Sequence, residues 1–144
     1  MSKHPITCHV LNTITGRPAA GLRCELLKQS SSSSTSDFST FATATTNADG
    51  RVVFWDLLET SESTSPASNQ AFLDLAYVGS EDYASANDCL YKVKFLGIDQ
   101  LFDNDTFFPY VDIVFKVPAG KLGLEHFHIP LLLSKYSYST YRGS

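Results

Sequence analysis

Cysteine is scarce in this chain: three thiols, Cys8, Cys24 and Cys89, in 144 residues. Their spacing fits neither a disulfide framework nor a zinc knuckle, so a reduced, intracellular protein is the simplest expectation. Long apolar runs are missing too. The longest, Ile129 to Leu133, falls far short of the roughly 20 residues that span a bilayer. The first twenty residues lack the apolar core, about 7–15 residues long, of a secretory signal. Charge is thin at 18%, with a net value of −4, which argues against a general nucleic-acid binder. Basic residues and histidine are absent from Val52 to Tyr91, where seven acids fall: Asp56, Glu59, Glu62, Asp74, Glu81, Asp82 and Asp88. The rest of the chain carries eleven bases against eight acids and all four histidines. A small anionic ligand is better placed among those ends than beside the acidic middle. There is no Gly-rich phosphate loop, no G-x-S-x-G elbow, no repeat and no heptad.

What is present reads as one globular domain over residues 1–144, 43% apolar and long enough to bury about two-thirds of its unfolded surface. Alternation of apolar and polar residues, with period two, marks strands at 5–12, at Leu22-Cys24-Leu26, at Tyr91-Val93-Phe95, at Val111-Ile113-Phe115-Val117 and at Phe127-Ile129-Leu131. Phe38 to Thr46 is β-branched and aromatic, a further strand. Gly16-Arg17-Pro18 is expected to turn the chain, and Asn47-Ala48-Asp49-Gly50 to make a hairpin whose return strand is Val52-Val53-Phe54-Trp55. Residues 29–36, nearly all serine, have nothing to bury and read as a mobile loop. Residues 56–88 read as an acidic, solvated insertion, within which Gln70 to Val78 fits either a short helix or a strand. Ile98 to Phe102 has room for one helical turn. The fold class is therefore all-β: an antiparallel sandwich of about seven or eight strands with little helix.

The strand period matters most at His126-Phe127-His128. With Phe127, Ile129 and Leu131 turned inward, His126 and His128 project together from the other face, about 7 Å apart at a rise of ~3.4 Å per residue. His9 alternates likewise against Ile6, Cys8 and Val10. Arg51 stands at the mouth of the expected hairpin, where side chains often meet ligands. Each has a plainer reading as a surface histidine or a solvated charge. A zinc site would need a third ligand, and Glu125 is the nearest carboxylate in sequence, so no metal is expected. His4 is expected to be inert, and Cys8 and Cys24 to be buried thiols. The end of the chain is tyrosine-rich at Tyr136, Tyr138 and Tyr141, unlike a disordered tail, and is expected to be tied down against protein.

Three segments resemble the transthyretin-like family, and specifically its 5-hydroxyisourate hydrolase branch. They are Cys8-His9-Val10-Leu11-Asn12-Thr13-Ile14-Thr15-Gly16-Arg17-Pro18-Ala19, then Thr46-Asn47-Ala48-Asp49-Gly50-Arg51, and the stretch from His126-Phe127-His128-Ile129-Pro130-Leu131-Leu132-Leu133-Ser134 to the terminal Tyr141-Arg142-Gly143-Ser144. Asn12 stands where many members carry Asp, and Lys135 and Ser137 replace a common Pro and Gly. The family helix expected between the Tyr91 and Val111 strands looks short.

The resemblance implies hydrolysis of 5-hydroxyisourate to 2-oxo-4-hydroxy-4-carboxy-5-ureidoimidazoline in urate catabolism, with no cofactor. It implies His9, Arg51 and His128 as catalytic residues, and Tyr141, Arg142, Gly143, Ser144 and His126 as substrate-binding ones. It further implies a homotetramer, a dimer of dimers, with the sites where dimers meet. Neither nucleic acid nor membrane is an expected partner. The cytosol is the expected compartment, with the peroxisome as alternative. The rival readings are a non-catalytic transthyretin-type ligand carrier and a structural β-sandwich domain.

Overall fold

A computed structural model describes residues 3–29, 37–58, 69–77 and 89–144. The serine-rich stretch, apart from Gln29, lies outside the described residues, as do 59–68 and 78–88 of the acidic insertion. The elements run β1 (Ile6–Asn12), β2 (Arg17–Pro18), β3 (Arg23–Gln29), β4 (Phe38–Thr45), β5 (Arg51–Val52), β6 (Asp56–Leu57), α1 (Asn69–Tyr77), β7 (Cys89–Leu96), a 3₁₀ turn (Ile98–Phe102), β8 (Val111–Val117), β9 (Phe127–Leu133) and β10 (Tyr138–Thr140). Seven of these strands are three residues or longer, and β2, β5 and β6 are two-residue pairings. They form two five-stranded sheets. One runs β10-β9-β1-β2 with β5 also on β1; the other runs β6-β4-β3-β7-β8.

Alternation predicts the core well. Ile6, Cys8 and Val10 from β1, and Phe127, Ile129, Leu131 and Leu133 from β9, turn inward against Cys24, Leu26, Tyr91, Val93 and Phe95 of the facing sheet. Cys8 and Cys24 are buried free thiols. Hydrogen bonding between them, together with burial, pushes the Cys8 thiol well above its ordinary range. Among the described strands nearly every pairing is antiparallel. The exception is β1 with β9, which run parallel over seven residues, including Thr7 opposite His128 and His9 opposite Pro130.

Three expectations are corrected. The turn near Gly16 falls earlier, because Asn12 Oδ1 accepts from the backbone N–H of Ile14 and Thr15 at 3.0 and 3.3 Å. Arg17 and Pro18 then pair with Asn12 and Leu11. An Asp at position 12 would accept the same two bonds.

Residues 47–50 do not close a hairpin. The chain leaves β4 in one sheet, and Arg51-Val52 pair with His9 and Cys8 of β1 in the other. Val53, Phe54 and Trp55 make no strand. Thr46 fixes this corner by donating its hydroxyl to the Ala19 carbonyl at 2.6 Å and accepting from Leu22 N–H at 2.9 Å. The Gly50 carbonyl then accepts from Val10 N–H at 2.8 Å. Gly50 has φ +72°, and a Cβ there would lie 2.6 Å from the Val10 carbonyl oxygen, so only glycine fits without displacement.

The acidic insertion is not solvated loop throughout. Its residues 69–77 form α1, with Phe72 and Ala76, four apart on one helix face, buried in the core. Phe72 packs on Phe41 and on His4 at ring separations of 5.6 and 5.0 Å. Lys28 Nζ donates to the Leu75 carbonyl near the helix end at 2.7 Å. His4, expected to be inert, is fully buried and structural: its Nδ1 accepts from Trp55 N–H at 2.9 Å. The segment between β7 and β8 holds only the short 3₁₀ turn, as the sequence suggests.

Candidate active site

The outer face of the sheet built on β1 collects the side chains singled out in the sequence. His9 projects from β1 with Arg51 opposite it on β5. His128 projects from β9, and its ring lies 6.4 Å from that of His9, with the two planes only 21° apart. His126 follows at 6.2 Å from His128. Parallel register brings this about: it sets Thr7 beside His128, so His9 on the next outward position of β1 stands over the same imidazole.

Arg51 is held by its turn. Asn47 Oδ1 accepts from the backbone N–H of Asp49 at 2.9 Å and of Arg51 at 3.0 Å. Asn47 N–H in turn donates to the Arg51 carbonyl at 2.9 Å.

The chain end is tied down, as its tyrosines suggest. The backbone of β10 pairs antiparallel with β9, Tyr138 opposite Leu133. The Tyr138 ring meets Phe108 edge-on at 5.1 Å, and the Tyr136 hydroxyl donates to Asp105. The pairing resumes at Gly143, whose N–H donates to the His128 carbonyl at 2.9 Å. Gly143 presses on the imidazole itself: a Cβ there would lie 2.5 Å from His128 Cδ2 and 3.1 Å from Pro130 Cγ.

Residues opposite one another share a face. Continuing the register from Thr140–Leu131 to Gly143–His128 places Tyr141 beside Pro130 on the histidine face and Arg142 beside Ile129 on the inner one. Arg142 is exposed and reaches along the sheet edge rather than over the imidazole pair. Its guanidinium lies 4.6 Å from the Phe127 ring centre and donates to Glu125 at 3.2 Å and to the His126 carbonyl at 3.3 Å. It borders a cavity of about 300 Å³ between the β8 and β9 edges, which Phe115, Phe127, His128, Ile129 and Tyr141 also line. Tyr141 and Ser144 are exposed.

Electrostatics keep the histidines neutral near pH 7. Partial burial first, then the Arg51 guanidinium and the neighbouring rings, holds His128 down to about 4. Burial and Arg51 also lower His9, partly offset by Asp49. Burial and Lys3 lower His126. Neutral imidazoles beside a fixed cation can take a proton while an anionic, polarised group is held near them. Among the described residues, no cluster of three or more His, Cys, Asp or Glu could hold a metal ion. No described helix is long and apolar enough to cross a membrane.

Known proteins resemble this chain over nearly its whole length. The model of the HIUase/Transthyretin family matches residues 6–143. The chain belongs to that family. Its relatives include the probable 5-hydroxyisourate hydrolase of Schizosaccharomyces pombe, 35% identical over 139 residues that cover 96% of this chain and 90% of the relative. The 5-hydroxyisourate hydrolase of Mesorhizobium japonicum is 33% identical over 141 residues, 96% and 91% of the two chains. Among solved structures, transthyretin from Sparus aurata superposes with a TM-score of 0.64 over 96% of both chains at 20% identity, which shows the fold. The two-sheet sandwich is thus the family's architecture.

Two further residues form the site. Thr7 lies under both C-terminal histidines, its Oγ1 2.9 Å from His126 Nε2 and 2.7 Å from His128 Nδ1. The period that put His9 outward puts Thr7 outward as well, but nothing in the sequence sets it beside His128. Asn47 is the other; the Asn-x-Asp-Gly spacing is an Asx-turn signal that points to it.

Proposed function

We propose that this protein hydrolyses 5-hydroxyisourate to 2-oxo-4-hydroxy-4-carboxy-5-ureidoimidazoline, by attack of water on a cyclic amide carbonyl. The observation that carries the reading is the meeting of His9, Arg51 and His128 on one sheet face, in a chain whose full-length relatives are named for this hydrolysis. Net addition of water across a C–N bond needs no redox cofactor. It needs a base for the water, a donor for the developing oxyanion and positive charge for an anionic heterocycle.

His9 and His128 activate the water and move its proton. Arg51 binds the substrate and polarises the carbonyl. Tyr141, Gly143 and Ser144 wall the cleft, and His126 extends it. Arg142 serves by clamping the tail onto Glu125 and Phe127. The same face carries half-buried Leu11 and Leu132, and exposed Ile14 follows in the turn after β1. That apolar rim supports a homotetramer, a dimer of dimers, in which this face meets its copy and closes the site. Buried free thiols at Cys8 and Cys24 accord with the reducing cytosol.

Fresh 5-hydroxyisourate, made in the cuvette with urate oxidase, gives an ultraviolet band that decays spontaneously. Added protein should speed that decay. His9→Ala and His128→Ala should each lower kcat by about 10²–10⁴-fold. Decay at the spontaneous rate would leave a non-catalytic ligand carrier as the better account.

A further inference from the structure

Thr7 takes no part in the reaction so far, yet it is buried between two imidazoles and within hydrogen-bond distance of both. A hydroxyl has one proton to give. It therefore donates to one ring and accepts from the other. When His128 carries its proton on Nδ1 and donates it to Thr7, Thr7 donates to His126 Nε2, and His126 must carry its own proton on Nδ1. When Thr7 donates to His128 Nδ1 instead, both rings hold their protons on Nε2. The two tautomers are locked together. In the first state His128 Nε2 is a bare lone pair, able to act as a base. In the second it is an N–H, able to act as an acid.

We propose that His126, Thr7 and His128 form a proton relay, in which Thr7 is the positioning residue that switches His128 Nε2 between base and acid. This rests on the hydrolase reading above. As water adds to the carbonyl carbon, its oxygen forms the new C–O bond and its proton goes to His128 Nε2. The His128 Nδ1 proton passes to Thr7 Oγ1, and the Thr7 proton passes to His126 Nε2. His128 is then neutral with its N–H facing the substrate, and the positive charge rests on His126. When the ring C–N bond breaks, the His128 Nε2 proton goes to the leaving nitrogen. The other two protons return along the chain, so that one water has been added and the residues are restored.

The placement of charge supports this direction. His128 faces the Arg51 guanidinium and the His9 ring, and is the ring most opposed to carrying charge. His126 has Lys3 as its unfavourable neighbour, while Arg51 and His9 act on His128 and not on it. The carboxylate of Glu125, which Arg142 engages, is its sequence neighbour. His126 also borders a surface groove of about 270 Å³ with Lys3, Pro5, Leu124 and Glu125. The relay thus runs from the half-buried imidazole beside Arg51 and His9 to the half-buried one that borders this groove.

Thr7→Val keeps the branched shape and removes the hydroxyl; Thr7→Ser keeps the hydroxyl. Loss of the outer partner of a metal-bound imidazole costs about 10–100-fold, and the same scale is expected for this metal-free one. Thr7→Val should lower kcat by about that factor with KM nearly unchanged, and Thr7→Ser should restore most of the rate. His126→Phe should lose a similar factor, and the double variant Thr7→Val/His126→Phe no more than either alone. A Thr7→Val enzyme at wild-type kcat, a Thr7→Ser enzyme as poor as the valine variant, or additive losses would overturn the relay. Should the wild-type protein fail to speed 5-hydroxyisourate decay, it is the hydrolase reading that fails. Long-range ¹H–¹⁵N spectra then judge the coupling directly: His126 and His128 report the same tautomer in the wild type, and Thr7→Val releases them. Opposite tautomers in the wild type overturn the proposal whatever the activity.

Discussion

Gly143→Ala is the sharpest test of how the chain end serves the site. Gly143 is not among the glycines at positive φ, so any effect comes from space rather than from backbone strain. The added Cβ would start 2.5 Å from His128 Cδ2. Carbon atoms pack at about 3.5–4.0 Å, so roughly 1 Å of movement is required. Two parts can yield. The tail can lift, losing the Gly143 N–H to His128 carbonyl bond. Otherwise the ring can turn, losing the Thr7 to His128 Nδ1 bond. Either loss costs about 1 kcal/mol of stability, a change of roughly 2–4 °C in Tm for a chain of this size. The effect on rate should be far larger, because displacing a reacting group by about 1 Å can cost ~10²-fold. Thermal melts and the urate-oxidase-coupled assay, run side by side, measure both. The expected outcome is a nearly normal melt with kcat down about a hundredfold. A variant that turns over at the wild-type rate would refute the packing of Gly143 on His128 as a requirement for catalysis.

Other consequences follow from the same geometry. Because burial and Arg51 lower both His9 and His128, the latter to about 4, the acid limb of kcat/KM should lie below pH 6.5, with the loss due to His128 falling at about pH 4. Arg51→Met removes a cation that depresses both His9 and His128; its acid limb should move up toward 6.5 while KM rises, as a pH–rate series would show. The unfolded chain protonates His128 near the ordinary value of about 6.5, above the folded value. The stability that comes from keeping this ring neutral is therefore complete above 6.5 and is lost as pH falls toward 4, a trend that urea midpoints at pH 7 and pH 5 would reveal. Asn47→Ala deletes the acceptor for two backbone N–H groups at the corner. It should lower stability by about 1 kcal/mol and raise KM as Arg51 loses its support, and a urea titration with KM measurements reads both effects.

Much of this was legible in the chain. Period-two alternation records which face a side chain takes relative to its own strand, so Ile6, Cys8 and Val10 could be placed inward and His9, His126 and His128 outward. The terminal Tyr141-Arg142-Gly143-Ser144 carries the family resemblance in residues that need no fold to be read. Other features gave no local signal. Val52 to Trp55 has good strand composition, yet the Thr46 hydrogen bonds and the tight Gly50 corner send Arg51 across to the other sheet. Residues 69–77 are too short to decide their own conformation. Burial of Phe72 against Phe41 and His4 accompanies the helix and gives its apolar face a partner. Arg142 reads as a site cation, and only the fold sets it against Phe127 and Glu125 at the sheet edge.

By itself, then, the sequence determined the composition of each strand face and the identities of the imidazoles and guanidinium. The tertiary structure alone decided which of them touch. Register between β1 and β9 joins segments about 120 residues apart, and no period within either strand encodes it. It is set where their inward side chains share one core and their backbones share one ladder. That ladder stands Thr7 beside His128, brings His9 and Arg51 over the same ring, and lays Gly143 against its edge.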